Sequence, residues 1–243
     1  MRADFIPMIV SNTYMLTSNV KHFILCAASS TVFNYLPGQF ISIHFTKDNA
    51  LLKRSYSIAN PPNNRNCIEF TANYVPHGPG TNFLFNLKSG DTVNVSGPFG
   101  RLILRDTIPE RYLLVATNTG ITPYRAMLDE LKSRLNSKPG LKIIILQGVP
   151  SRSDILFAND FVKFSQDFHQ VVFRAQLSRH SKNEPLQEHE HVGYVQDAFT
   201  ELNLDPARDS VYLCGKPSMI DDAFTRLKAC DFTPQQIIRE KYI

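Results

Sequence analysis

The chain has 243 residues, of which 43% are hydrophobic and 20% charged, enough for one or two domains of ordinary size with proper cores. No apolar run approaches the roughly 20 residues of a membrane span, and Met1-Arg2-Ala3-Asp4 lacks the apolar stretch and cleavage site of an export signal, so the chain reads as cytoplasmic with no integral membrane segment. The net charge of +4 lies wholly in residues 1–106, with nine Lys/Arg against five Asp/Glu; these basic residues are scattered, without a zinc-finger or RNA-binding signature, which excludes a nucleic-acid binder and leaves a mild field for an acidic protein partner.

From Asn19 to Val95 the pattern is short strands divided by turns. Val20 to Cys26 alternates loosely, and Leu36-Pro37-Gly38-Gln39 turns into Phe40 to Phe45, where Ile41, Ile43 and Phe45 share one face. Arg54 to Ile58 and Ile68 to Val75 are further strands. Gly78-Pro79-Gly80 then leads into a short helix from Thr81, and Thr92 to Ser96 runs to Gly97-Pro98-Phe99-Gly100. Many short strands, Gly/Pro turns and one brief helix predict a small antiparallel barrel.

After Pro109 the rhythm changes. Strand 112–116 feeds a helix over 123–136, which Thr122 caps and Pro123 opens. Leu141 to Gln147 is a continuous apolar strand of the kind found in a parallel sheet covered on both faces. A helical segment near 153–166, a strand over 170–177, a polar loop from Ser178 to His191, a short helix within 194–202, strand 210–214, helix 217–230 and a last strand over 236–243 complete the chain. This alternation predicts a doubly wound α/β domain, with a boundary that divides the chain into 1–106 and 107–243. Of the four cysteines, Cys26, Cys67 and Cys230 read as core or surface thiols, since no pair has metal-ligand, redox-pair or iron–sulfur spacing.

Three stretches carry chemistry. Arg54-Ser55-Tyr56-Ser57 puts a guanidinium fork and an aromatic ring on one side of a strand, suited to a diphosphate and a planar ring; a solvated arginine beside a core tyrosine reads the same way. Gly80-Thr81 at a helix start offers an anion site, although a capped helix after a glycine turn is common. Thr117-Asn118-Thr119-Gly120-Ile121-Thr122-Pro123 joins a buried strand to a helix N-terminus, a place where backbone N–H groups face phosphates; it is neither the three-glycine dinucleotide fingerprint nor a phosphate loop ending in Gly-Lys-Ser/Thr.

Taken in order with Gly97-Pro98-Phe99-Gly100, Gly193-Tyr194-Val195 and Cys214-Gly215-Lys216-Pro217, these motifs resemble the ferredoxin–NADP reductase superfamily over nearly the whole chain. The resemblance implies a six-stranded barrel for FAD followed by a doubly wound parallel-sheet domain for a nicotinamide dinucleotide. It implies that Arg54 and Thr81, with Gly80, hold the FAD pyrophosphate, that Tyr56 packs on the flavin, and that Ser57 lies near its N5 atom with Ser55 alongside. Asn73, Tyr74 and Val75 fall where the family contacts the flavin nucleotide. Thr119, Gly120, Thr122 and Pro123 would cradle the dinucleotide, and Cys214, shaped by Gly215 and Pro217, would lie beside the nicotinamide. The family usually has glycine where Asn118 stands; asparagine tolerates the left-handed backbone that such a turn needs, while its side chain intrudes on the dinucleotide.

Ser178-Arg179 resembles the clamp on the 2′-phosphate of NADPH, with Arg152 as a second basic position and His180 and Lys182 adding reach; a solvated loop charge is the other reading of Arg179. Val192 stands where bacterial NADP enzymes often carry another arginine. The ending Arg239-Glu240-Lys241-Tyr242-Ile243 resembles the bacterial one, which makes Tyr242 the aromatic lid on the flavin, or else a residue that simply packs the last strand. The function implied is hydride transfer between NADPH, in preference to NADH, and FAD, with one-electron exchange to ferredoxin or flavodoxin. Two alternatives stay open: an NAD(P)H–flavin reductase or oxygenase reductase component, and a non-catalytic electron-transfer subunit with this fold. No metal site is expected.

Overall fold

In a computed structural model, residues 5–27, 33–62, 66–181 and 183–242 are described, so Met1-Arg2-Ala3-Asp4, Lys182 and Ile243 of the sequence reading lie outside the described residues. The chain forms two compact units. The first comprises Met1–Leu104 together with Thr122–Met127, and the second Arg105–Ile121 with Leu128–Ile243.

The first unit is an antiparallel six-stranded sheet made of β1 (Ile6–Met15), β2 (Val20–Ala27), β3 (Phe40–Lys47), β4 (Ala50–Ser57), β5 (Cys67–Asn73) and β6 (Thr92–Phe99). The order is β4-β3-β6-β1-β2-β5, and an antiparallel bridge between Ile58 and Phe70 joins the two outer strands to close the barrel. Strand alternation explains the core: Ile41 and Ile43 of β3, Phe23 and Leu25 of β2, and Ile68 and Phe70 of β5 all point inward and are buried. Strand β1 lay outside the strands read from sequence, although its Met8 and Val10 alternate inward in the same way. Helix α1 (Pro79–Asn86) follows β5 and buries Leu84.

The outer face of β5 is polar, and its Cys67, Glu69 and Thr71 side chains are tied to neighbours. Cys67 forms a disulfide with Cys26, its direct partner on β2. This corrects the reading of both as thiols, and the pairing has no local signal because 41 residues separate them. Two residues along, the Glu69 carboxylate accepts from His22 Nε2 at 3.2 Å and from Arg125 at 2.8 Å. The His22 bond first, with that of Arg125, outweighs burial and lowers the Glu69 carboxyl from 4.5 to about 2. A carboxyl with a depressed folded pKa stabilises the fold above its unfolded value and ceases to do so as pH falls through the folded one. Glu69→Gln is therefore expected to lower unfolding free energy by about 3 kcal/mol at pH 7. Urea titrations should find that difference shrinking between pH 4.5 and about 2; a difference independent of pH would contradict the assignment.

The second unit is a six-stranded parallel sheet of β7 (Arg111–Thr117), β8 (Lys142–Val149), β9 (Val171–Leu177), β10 (Glu190–Val192), β11 (Asp209–Gly215) and β12 (Ile237–Lys241), in the order β10-β9-β8-β7-β11-β12. Its central strands are apolar throughout, as a sheet covered on both faces requires: Tyr112 to Ala116 and Val211 to Cys214 are buried. Helix α5 (Pro217–Ala229) covers one face with Met219, Ile220, Ala223 and Leu227. Helix α4 (Ala158–Asp167) packs on β9 through Phe161 and Phe173, with ring centroids 5.3 Å apart. The helix expected over 123–136 is two, α2 (Thr122–Ala126) and α3 (Leu128–Ser137). Met127 separates them because its N–H turns back to Tyr124 O at 3.2 Å. Short strand β10 replaces the end of the expected loop, held in parallel register by β9.

Candidate active site

In the barrel unit, β4 and the start of α1 converge. Gly80 is buried against Arg54 and Tyr56: a Cβ there would lie 2.7 Å from Arg54 Cγ and 3.4 Å from the Tyr56 hydroxyl. Only glycine lets the helix start sit this close to the arginine stem; Arg54 itself is exposed, with Nη1 donating to Lys53 O at 2.8 Å. Thr81 is buried and its hydroxyl accepts from Val75 N–H at 3.1 Å, which fixes the turn into α1. Tyr56 leans on Phe70 with centroids 5.1 Å apart, and burial raises its hydroxyl to about 12, so it stays protonated. Asn73, Tyr74 and Val75 are exposed along the same edge, and Ser57 is buried at the end of β4. Ser55 differs from the others, since its hydroxyl pairs with Ser42 at 3.2 Å. A guanidinium, a glycine-floored helix N-terminus and an aromatic ring together fit a diphosphate joined to a flat ring system, the parts of FAD.

In the α/β unit the strand order reverses between β7 and β11, and the crevice at the carboxyl ends of such strands is where doubly wound sheets take ligands. Both strands end there in a close approach. A Cβ on Gly120 would lie 2.3 Å from Cys214 O, and one on Gly215 would lie 2.4 Å from Thr117 Oγ1. The Thr117 hydroxyl also accepts from Lys216 N–H at 2.9 Å, locking the two loops together, a role that the sequence reading did not give it. Asn118 has φ +48°, the left-handed conformation anticipated for it, so the turn forms without glycine. Cys214 is fully buried; burial first, then the neighbouring Glu240 carboxylate, pushes its thiol well above the ordinary value, against a hydrogen bond from Tyr242. It is a neutral, compact side chain rather than a nucleophile. Tyr242 extends the strand pairing through its N–H to Gly215 O at 2.8 Å. Pro217 opens α5 beside them.

The two candidate phosphate-clamp arginines part company. Arg152 is held bidentately by buried Glu190 at 2.6 Å, and also pairs with Glu184 and Pro185 O. This guanidinium braces the 184–190 segment. Arg179 is exposed, and its side chain makes no ion pair among the described residues, while its N–H bonds to Pro150 O. Ser178 is exposed beside it, with N–H to Val149 O at 3.0 Å.

Residues 7–103 match the family described as an oxidoreductase FAD-binding domain, and residues 114–224 match an oxidoreductase NAD-binding domain. The chain is 27% identical over 96% of its length to the reductase component, ferredoxin–NAD(P)(+), of the naphthalene 1,2-dioxygenase system of Pseudomonas putida, covering 69% of that protein. It is 29% identical over 76% of its length to ferredoxin–NADP reductase of Pseudomonas aeruginosa, covering 75% of it. Across the curated relatives it matches, the chain spans from about half to three quarters of their length. Among solved structures, a ferredoxin NADP+ reductase from Neisseria gonorrhoeae superposes with a TM-score of 0.83 at 19% identity, covering 99% of both chains. At that identity the likeness speaks for the fold.

Proposed function

The chain belongs to the ferredoxin–NADP reductase superfamily, an FAD- and nicotinamide-dinucleotide-binding oxidoreductase, and from that premise we propose that it passes hydride equivalents between NADPH and FAD and exchanges single electrons with an acidic carrier, ferredoxin or flavodoxin. The observation that carries the reading is the close approach of Gly120 to Cys214 at the strand-order reversal, which holds two loop ends level beside a neutral thiol at the carboxyl ends of β7 and β11. FAD, when bound, supplies the two-electron and one-electron chemistry, so the protein need only bind, orient and exclude water. Arg54, Gly80 and Thr81 grip the diphosphate, Tyr56 and Ser57 flank the ring, and Asn73 to Val75 line the nucleotide edge. Thr119, Gly120, Thr122 and Pro123 carry the dinucleotide, with Cys214 and Tyr242 at its reacting end.

Ser178 and Arg179 take the 2′-phosphate, Arg179 acting without Arg152. The excess of positive charge in residues 1–106 supports an acidic carrier. No helix among the described residues is long and apolar enough to cross a membrane. A cytoplasmic setting fits a soluble dinucleotide donor, and there the Cys26–Cys67 bond would be open to reduction. A second reading, the reductase component of an oxygenase, is favoured by the match to the naphthalene system and by the commitment of Arg152 to two carboxylates.

Anaerobic stopped-flow bleaching of the flavin near ~450 nm tests the choice. NADPH is expected to half-saturate well below NADH, and Arg179→Ala to raise the NADPH requirement by ~10-fold or more while leaving NADH unchanged. Equal use of both, insensitive to Arg179, would favour the oxygenase-reductase reading. No bleaching by either would reject the enzyme reading.

A further inference from the structure

We propose that Arg125 is a positioning residue for hydride transfer: it seats the helix that follows the dinucleotide loop on the outer face of β5, and so fixes where Thr122 and Pro123 lie. The inference rests on the reading of Thr117–Pro123 as the dinucleotide loop.

Outward residues of β5, namely Cys67, Glu69, Thr71 and Asn73, alternate with buried Ile68, Phe70 and Ala72. Two of them reach the segment Thr122–Met127, which packs with the barrel unit. Thr71 Oγ1 and Thr122 Oγ1 share a buried hydrogen bond of 2.7 Å. Arg125 Nη1 donates to Glu69 Oε2 at 2.8 Å and to Ala59 O at 3.1 Å. Each acceptor is itself fixed. Glu69 is held by His22, its N–H donates to Asn60 Oδ1 at 2.7 Å, and Ala59 N–H donates to Glu69 O at 2.7 Å. Asn60 Nδ2 donates onward to Cys67 O at 3.1 Å.

Thus one guanidinium joins the helix to β5 and to the backbone two residues beyond Ser57. Stability is only part of its role: Tyr124, Ala126 and Met127 on the same turns are fully buried, but hydrophobic burial is non-directional and does not by itself set how the helix is turned. A single guanidinium nitrogen, Nη1, donating to two acceptors that are themselves fixed supplies what packing does not, one lateral setting of the helix. A short displacement of groups that orient reactants is enough to slow transfer without weakening binding.

Arg125→Met and Arg125→Lys test this in the FAD-loaded protein. In Arg125→Met the limiting rate of flavin bleaching should fall ~10-fold or more, while the half-saturating NADPH concentration moves less than about threefold. FAD per chain and the oxidised-flavin spectrum should stay native. Arg125→Lys keeps the charge but places it on a shorter, non-planar head that does not reproduce the Nη1 position, and should recover only part of the rate. Amide exchange over 122–127 should accelerate in Arg125→Met. A native limiting rate, or a rate loss that only tracks lost FAD, overturns the proposal. If the unsubstituted protein fails to react with either dinucleotide, the functional reading fails instead. Exchange over 122–127 then decides the seating alone, and native exchange in Arg125→Met overturns it.

Discussion

Gly120→Ala is expected to abolish dinucleotide-driven flavin reduction, by ~100-fold or more, while FAD remains bound. The methyl group would stand 2.3 Å from Cys214 O, 2.6 Å from its carbonyl carbon and 2.9 Å from Gly215 Cα. All three are backbone atoms of the neighbouring strand end, so no side-chain rotation relieves the overlap, and the loops must part. Gly215→Ala acts on the same contact from the other side. Its φ of +127° disfavours any side chain, and its Cβ would meet Thr117 Oγ1 at 2.4 Å and Thr117 O at 2.8 Å. Gly140→Ala is the control in the same unit, for nothing lies within 4 Å of its added Cβ. Stopped-flow rates, FAD content and melting temperature of the three variants form one experiment. Native reduction rates in Gly120→Ala would mean that the approach of the two loops is not required for the reaction.

That contact also marks how far the sequence could be read. Gly120, Gly215 and Cys214 were assigned from short motifs, and the backbone puts them together because parallel strands β7 and β11 are neighbours whose ends fall level. Asn118 was legible for a local reason, since an asparagine tolerates the left-handed turn by itself. The same holds for the barrel strands, whose inward faces follow simple alternation.

What escaped the sequence is non-local. The Arg152 charge resembled a free phosphate ligand until Glu190, 38 residues away, was brought against it by the pairing of β9 and β10. Strand β10 is only three residues long and has no pattern of its own. Arg125 stands among the apolar residues of a helix start, where nothing nearby in sequence announces Glu69. His22 and Glu69 meet only because β2 and β5, far apart in the chain, lie side by side. Local chemistry was readable, and partners supplied by sheet register were not.

The Cys26–Cys67 bond is the sharpest case, and it carries the largest expected effect on stability. Cross-linking residues 41 apart removes conformations from the unfolded chain, which in the chain-entropy account is worth about 4 kcal/mol. Protein unfolded without reductant should therefore expose two titratable thiols, those of Cys214 and Cys230, and prior reduction should bring the count to all four cysteines. Chemical unfolding of Cys67→Ser should show a loss of about 4 kcal/mol against the oxidised protein. The double variant with Cys26→Ser and Cys67→Ser should match the reduced natural protein, because both lack only the cross-link. Four thiols in the unreduced protein would instead mean that the pair stays open in the isolated molecule. Both half-buried sulfurs lie at the ends of paired strands, and Cys67 shares the face that carries Glu69 and Thr71. Opening the bond should loosen first the Asn60 turn that bonds the Cys67 carbonyl, and amide exchange there, compared between oxidised and reduced protein, would register it before global unfolding does.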